Sequence, residues 1–302
     1  MRALVTGAGG FVGRHLVAHL AAEGDDVVGV DRADGGCDIL DAGAVRDLVA
    51  DVRPDAVYHL AGWADVGGSW SAPVETFTAN AVGTQHVLLA CVAAGVDRVL
   101  AVSSADVYGK VAEADLPLTE ASPLRPVSPY AASKVAADFL ALQAFLGHGL
   151  PTVRARAFNH LGPGQTDKFV ASALASRVAA NEVEGADEVR VGNLSSRRDF
   201  TDVRDVVRAY RLLVLHGEPG EAYNVCSGRD VAVQDLADRL VAMASVPMLL
   251  KTDPALERPV DVPVLRGDNA RLRAATGWEP SIPIEQTLAD LLDDWRRRLR
   301  AG

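Results

Sequence analysis

Thr6-Gly7-Ala8-Gly9-Gly10-Phe11-Val12-Gly13 is the stretch on which the fold turns. It separates an apolar run, Ala3–Thr6, from an amphipathic one that begins at Phe11 and stops at Gly24. Glycine at 7 permits a tight turn, glycine at 10 lets backbone approach a pyrophosphate, and glycine at 13 lets helix and strand pack closely. The helix that follows offers unpaired N–H groups and the positive end of its dipole, so the turn suits an anion. About 20 residues on, where a ribose-binding acid belongs, the next strand ends in Asp31. A carboxylate there accepts from the ribose hydroxyls of NAD and repels a 2′-phosphate; Arg32 beside it can attract that phosphate, so NADP stays open beside NAD. Gly7, Gly10, Phe11, Val12, Gly13, Asp31 and Arg32 are thus candidate cofactor contacts. Asp38-Ile39 reads either as a contact for the adenine amino group or as a loop acid capping the next helix.

Outward from this turn, short apolar runs alternate with helical patterns. Strands are expected at Asp26–Asp31, Ala56–Leu60, Arg98–Ser103 and Thr152–Phe158. Helices are expected at Ala44–Val52, Pro73–Gly95 and Pro129–Gly147. This alternation predicts an α/β fold, a doubly wound parallel sheet covered on both faces. Beyond residue 158 the pattern loosens. Helices are expected at Asp167–Asn181, Arg204–His216, Val233–Ala244 and Ile284–Arg300, with strands at Val189–Val191 and Ala222–Cys226. The organisation expected is a dinucleotide-binding domain of 1–158 plus 198–226, and a smaller lobe of 159–197 plus 227–302.

The 302 residues carry 30 Lys and Arg against 40 Asp and Glu, a net charge of −10, and 49% are apolar. This is globular composition, and its sign excludes a broad nucleic-acid surface. Three scattered cysteines, Cys37, Cys91 and Cys226, argue against a disulfide framework and for a cytoplasmic setting. The opening strand leaves no room for a signal peptide, and the apolar run Val87–Val96 is too short for a bilayer. His15 and His19 read as a surface pair rather than a metal site. The basic end Arg296-Arg297-Arg298 reads as charge complementing a helix C-terminus.

Tyr130 and Lys134 stand four apart on a predicted helix and so share one face. An ammonium beside a phenol favours phenolate, which suits the tyrosine to exchange a proton with an alcohol or carbonyl oxygen. Ser104 closes the preceding strand, at the edge where open parallel sheets bind ligands, and can hold that oxygen. Trp63 and Trp70 read either as cover for a sugar or nicotinamide or as core.

The glycine turn, His59-Leu60-Ala61-Gly62, Ser104 with Tyr108-Gly109, Tyr130-x-x-x-Lys134 and Arg198-Asp199-Phe200 occur in order. Together they resemble the extended short-chain dehydrogenase/reductase family of nucleotide-sugar epimerases, dehydratases and reductases, over essentially the whole chain. The resemblance implies a Rossmann-type lobe for NAD(P) and a C-terminal lobe for a nucleoside diphosphate sugar. It implies catalytic roles for Ser104, Tyr130 and Lys134, and cofactor contacts at Leu60, Ala61, Gly62 and Phe158. Asn80 is similar to the asparagine that supports the lysine region, or is a plain helix residue. The stretches Arg156–Gln165 with Phe169-Val170, Val191–Leu194, Arg198–Asp205, Tyr223–Gly228, Arg258–Pro263 and Gly267–Asn269 resemble the branch of reductases acting on GDP-4-keto-6-deoxy-mannose. That branch implies Asn159, Arg198 and Arg258 at the diphosphate, where arginine forks suit phosphate, and Phe169, Val170, Val191 and Asn193 around the base. It also implies a homodimer through the helices near 81–95 and 130–147.

Departures narrow the activity. The dehydratases of deoxythymidine sugars carry an Asp-Glu pair just after the Ser104 position, where this chain has Ala105 and Asp106. Asp106 alone keeps the GDP-mannose dehydratase branch arguable, or orients the sugar. The expectation is a 4-keto reductase of a GDP-4-keto-6-deoxy sugar. A 4-epimerase of a nucleoside diphosphate sugar is the alternative, and an NAD-dependent sensor is the reading from another class.

Overall fold

The computed structural model describes residues 1–256 and 262–301. The first lobe runs β1 (Arg2–Thr6), α1 (Phe11–Ala22), β2 (Asp26–Val30), α2 (Ala42–Val52), β3 (Ala56–His59), α3 (Pro73–Phe77), α4 (Gly83–Ala94), β4 (Arg98–Ser104), α5 (Pro129–His148) and β5 (Thr152–Ala157). The chain then leaves through β6 (Asn159–Leu161), α6 (Val170–Glu184), β7 (Glu188–Val191) and β8 (Arg197–Asp202). It returns with α7 (Val203–His216) and β9 (Ala222–Val225). It leaves again through β10 (Asp230–Ala232), α8 (Val233–Ala242), β11 (Leu249–Thr252) and β12 (Val264–Leu265), comes back for α9 (Ala270–Thr276), and ends in α10 (Ile284–Ala301).

The large sheet is parallel throughout, in the order β2-β1-β3-β4-β5-β9. Strand order reverses between β1 and β3, and the loops leaving these two strands diverge to open the crevice where such sheets bind ligands. Both faces are apolar. Leu16, Leu20, Val206, Tyr210 and Leu213 of α1 and α7 cover one, and Val45, Val49, Val87, Leu88 and Ala141 of α2, α4 and α5 cover the other. The second lobe has its own core, with Leu174, Val178, Leu236, Leu240, Leu288 and Leu292 around Val189, Val191 and Phe200.

Several expectations need correction. The helix expected over Pro73–Gly95 is interrupted by a π-helical turn, Thr78–Val82, between α3 and α4. By length and composition Pro73–Ala94 is long enough to cross a membrane, yet Val87, Leu88, Ala90 and Cys91 on it are buried against the protein's core. The helix expected from Asp167 begins at Val170, because the chain from Gly162 to Phe169 is held by turn hydrogen bonds (Gln165 N to Gly162 O, Phe169 N to Thr166 O). Arg197–Asp202 is a strand of the smaller sheet, paired with β6, β10 and β12, so the return to the large sheet starts at Val203 rather than at residue 198. Leu272 and Trp278 also pack in the large core, inside the stretch expected to belong wholly to the second lobe.

Candidate active site

The glycine turn stands where the sequence puts it. Gly10 is the N-cap of α1, so the first N–H groups of that helix face the crevice. Gly7 has φ +77°, and a Cβ there would lie 2.7 Å from the Ala61 backbone nitrogen. A Cβ on Gly13 would lie 2.1 Å from the Gly7 carbonyl oxygen. Only glycine fits either position, and the result is bare backbone at a helix N-terminus, the cradle a pyrophosphate needs. Asp31 closes it: one carboxylate oxygen accepts from Gly9 N at 3.2 Å and the other from Ala33 N at 2.9 Å. Arg32 is exposed and lies 3.9 Å from Asp38. These residues fit a dinucleotide.

Asp38 accepts from Leu40 N at 3.0 Å, while the cap of α2 is Asp41, so the capping role expected of Asp38 belongs to its neighbour three residues on. Ile39 is buried among Val45, Val49 and Val87; its side chain is core, and its carbonyl lies 2.9 Å from His86 Nδ1. Leu60 packs against the core and Ala61 donates its N–H to Thr6 Oγ1 at 3.4 Å. Phe158 is buried against Tyr108, with ring centroids 6.3 Å apart.

Ser104 ends β4, Tyr130 and Lys134 lie on α5, and all three are buried. Ser128 caps α5 by accepting from Ala131 N at 3.1 Å, and Pro129 fills its first position. Lys134 Nζ donates to the Val102 carbonyl at 3.1 Å, and burial pushes its ammonium down to about 8. The Tyr130 phenol is pushed well up from its ordinary value, first by burial and then by the Asp106 carboxylate, while a hydrogen bond with Ser104 draws it down. Ser104 Oγ also lies 3.3 Å from Asp106 Oδ2 and accepts from Asp106 N at 3.2 Å.

The π turn points Asn80 at the loop after β3. Its Oδ1 accepts from Trp63 N at 2.7 Å, and its Nδ2 donates to Ser133 Oγ at 2.8 Å and to Trp63 O at 3.2 Å. Both amide hydrogens are committed to protein, so Asn80 braces the lysine helix rather than reaching a cofactor. Trp63 donates Nε1 to Asp65 O, and Trp70 is more than half exposed.

Sequence reasoning missed two buried polar groups. His59 bridges Thr6 Oγ1 at 2.8 Å and Thr84 Oγ1 at 2.9 Å. Thr84 gives its own proton to Asn80 O, so His59 must donate from Nε2 and accept at Nδ1. Burial, with the Lys134 charge nearby, pushes it down to about 3, so it is neutral. Asp138 lies on α5 one turn beyond Lys134, fully buried, and meets Arg154 and Arg156 of β5 at 2.6 and 2.9 Å. Its signal was two arginines alternating in a strand between apolar residues. His15, read as half of a surface pair, instead holds the second lobe: its Nε2 lies 2.7 Å from Pro163 O. Arg296, Arg297 and Arg298 are all ion-paired, with Glu182, Asp293 and Asp294.

On the second lobe the residues are less gathered. Asn159 is exposed, and Phe169 caps α6 with Val170 behind it, half-buried. Val191 is a correction: strand alternation turns Val189 and Val191 into the core and Glu188 and Arg190 outward, so its side chain cannot flank a base. Asn193 Oδ1 accepts from Ser195 N and Oγ, shaping the wall of an open recess of about 500 Å³ that Leu194, Gln234 and Thr252 also line. Arg198 donates to the Arg197 carbonyl at 2.9 Å. Arg258 lies outside the described residues. Asp199, beside Arg198, is buried and accepts from Ser227 N, Ser227 Oγ, Gly228 N and Gly267 N. Burial pushes its carboxyl up to about 6 against those bonds. Among the described residues no cluster of His, Cys, Asp and Glu is arranged to hold a metal.

Residues 3–226 match the family described as NAD dependent epimerase/dehydratase. The chain is 42% identical to the GDP-6-deoxy-D-mannose reductase of Pseudomonas aeruginosa, over 99% of this chain and 98% of that one. The structure of RMD from Pseudomonas aeruginosa complexed with NADPH superposes with a TM-score of 0.91 at 40% identity, over 99% of this chain and 100% of that one. The UDP-glucose 4-epimerase of Thermus thermophilus, in complex with NAD, superposes with a TM-score of 0.88 at 30% identity, over 98% and 99% of the two chains.

Proposed function

Because the chain belongs to the NAD dependent epimerase/dehydratase family, we propose that it reduces the 4-keto group of a GDP-4-keto-6-deoxy-hexose. The observation that carries this reading is the match along both full lengths to a GDP-6-deoxy-D-mannose reductase. Bound at the glycine cradle, a reduced nicotinamide dinucleotide supplies the hydride. Ser104 Oγ holds the ketone oxygen, and Tyr130 donates the proton that turns it into a hydroxyl. A phenol held above its ordinary value remains protonated at neutral pH, which suits a proton donor. Lys134 holds the nicotinamide ribose, and Asp106 orients the sugar. Asp31, fixed by two backbone N–H groups, favours ribose hydroxyls and so NADH; exposed Arg32 is the feature that admits NADPH.

Asn159, Arg198 and Arg258 are assigned to the diphosphate, and the recess beside Asn193 to the base. Leu89, Phe139 and Leu146, exposed on α4 and α5, support a homodimer through those helices. The unpaired thiols support a reducing, cytoplasmic setting. Likeness to a 4-epimerase with NAD keeps a second reading, 4-epimerisation with the same residues.

The purified protein, given GDP-4-keto-6-deoxy-mannose with NADH or NADPH, should consume reduced cofactor. Tyr130→Phe should slow this by about 10²- to 10⁴-fold while cofactor binding survives. Interconversion of UDP-sugar epimers without net oxidation would replace this reading with the epimerase. Turnover of neither would leave a binding protein.

A further inference from the structure

Ser104 is carried by a short 3₁₀ turn, Ala105–Tyr108, of which it is the N-cap. The far end of that turn, Tyr108, is fully buried, and its hydroxyl lies at the centre of a polar network. It donates to Asn224 Oδ1 at 2.7 Å and accepts from Arg156 Nη1 at 3.1 Å. The Arg156 guanidinium stands over the Tyr108 ring, 5.4 Å from its centroid. Arg156 Nε and Nη2 also grip the Asp138 carboxylate at 2.9 and 3.1 Å. Asp138 is on α5 in one stripe with Tyr130 and Lys134, at steps of four residues. Asn224 is equally committed: Nδ2 donates to Leu118 O and its backbone N–H to Glu120 Oε1. One hydroxyl therefore ties the Ser104 turn to the helix that carries Tyr130 and to strand β9. Buried ion pairs add little net stability over apolar packing, and their best-attested use is to fix one arrangement against others.

We propose that Tyr108 is a positioning residue whose hydroxyl, anchored between Arg156 and Asn224, sets Ser104 against Tyr130. The proposal rests on reading Ser104, Tyr130 and Lys134 as the reaction centre. Loss of the hydroxyl frees the turn, and small misplacements of a reacting group are costly in rate.

The test is a double-mutant cycle of Tyr108→Phe and Ser104→Ala, assayed with GDP-4-keto-6-deoxy-mannose and reduced cofactor. Tyr108→Phe should lower kcat about tenfold and leave KM for sugar and cofactor within about twofold. Added to Ser104→Ala, it should cost less than about a further twofold, because its route to the reaction is already gone. Arg156→Lys, which keeps the charge opposite Asp138 and loses the arm on Tyr108, should lower kcat in the same way with KM held. Full additivity, a rise in KM that matches the loss in kcat, or failure of both Tyr108→Phe and Arg156→Lys to give folded, cofactor-binding protein would overturn the proposal. A wild-type protein that reduces no ketone would instead overturn the functional reading on which it rests.

Discussion

Asp138, on the helix that carries Tyr130, and Asp199, where the two lobes meet, are both shut off from solvent, and they are held in opposite ways. Asp138 faces the guanidiniums of Arg154 and Arg156, which keep its carboxyl below the ordinary aspartate value in spite of burial. Asp199 has no ion-paired partner among the described residues; it has the donors of Ser227, Gly228 and Gly267, and burial outweighs them. The first arrangement favours the charged carboxylate. The second leaves a carboxyl close to changing its protonation at the seam of the molecule. Under the reaction centre the fold favours constancy, and between the lobes it tolerates a looser bond.

Removing the anion should separate the two most strongly. Asp138→Ala leaves two buried guanidiniums uncompensated and should cost about 3–5 kcal/mol of stability in urea unfolding. Asp199→Asn keeps the shape and leaves only neutral donors to rearrange, so its cost should be about 1–2 kcal/mol. Equal losses would erase the distinction. Acidification should sharpen it. Asp199 has a folded value of about 6, raised from 3.8, so its contribution is full below 3.8 and is lost as pH rises through about 6. Between pH 7 and 5 the wild type should therefore gain about 1 kcal/mol relative to Asp199→Asn. Asp138, lowered, contributes above 3.8 and loses that contribution only below it, so no such gain should involve it. A flat difference between wild type and Asp199→Asn over this range would contradict the assignment. The smallest effect is expected from Ser227→Ala, which removes the hydroxyl donor 2.6 Å from Asp199. It should cost about 1 kcal/mol and move the pH-dependent window upward, as read from unfolding at closely spaced pH values.

The glycine turn, the alternating strands and the Tyr130–Lys134 stripe were legible because each is local: neighbouring residues alone decide it. The rest depends on partners far along the chain. Arg197–Asp202 opens with three charged residues and carries no apolar run; it is a strand because β6, β10 and β12 pair with it. The last two have three and two residues, too few to show a period. Asp138 stands four residues after Lys134 and looks like half of a helical ion pair. Lys134 instead turns to Val102 and Asp138 to β5. The π turn is invisible because Thr78–Val82 carries no residue that an α-helix would reject. Val191 was misassigned by likeness to a motif whose strand alternation only the structure decides.

The chain changes core repeatedly, near Phe158–Asn159, Asp202–Val203, Val225–Asp230, Leu265–Ala270 and Trp278–Ile284. Two of these connectors are joined to each other, since Asn269 Nδ2 donates to Cys226 O and Asp199 gathers Ser227 and Gly267. A pair of bodies on one tether can swing in any direction. Bodies stitched by many short strands can only slide by small amounts shared among all the stitches. Neither lobe is one continuous piece of chain, so any displacement of one against the other is shared among all of these crossings.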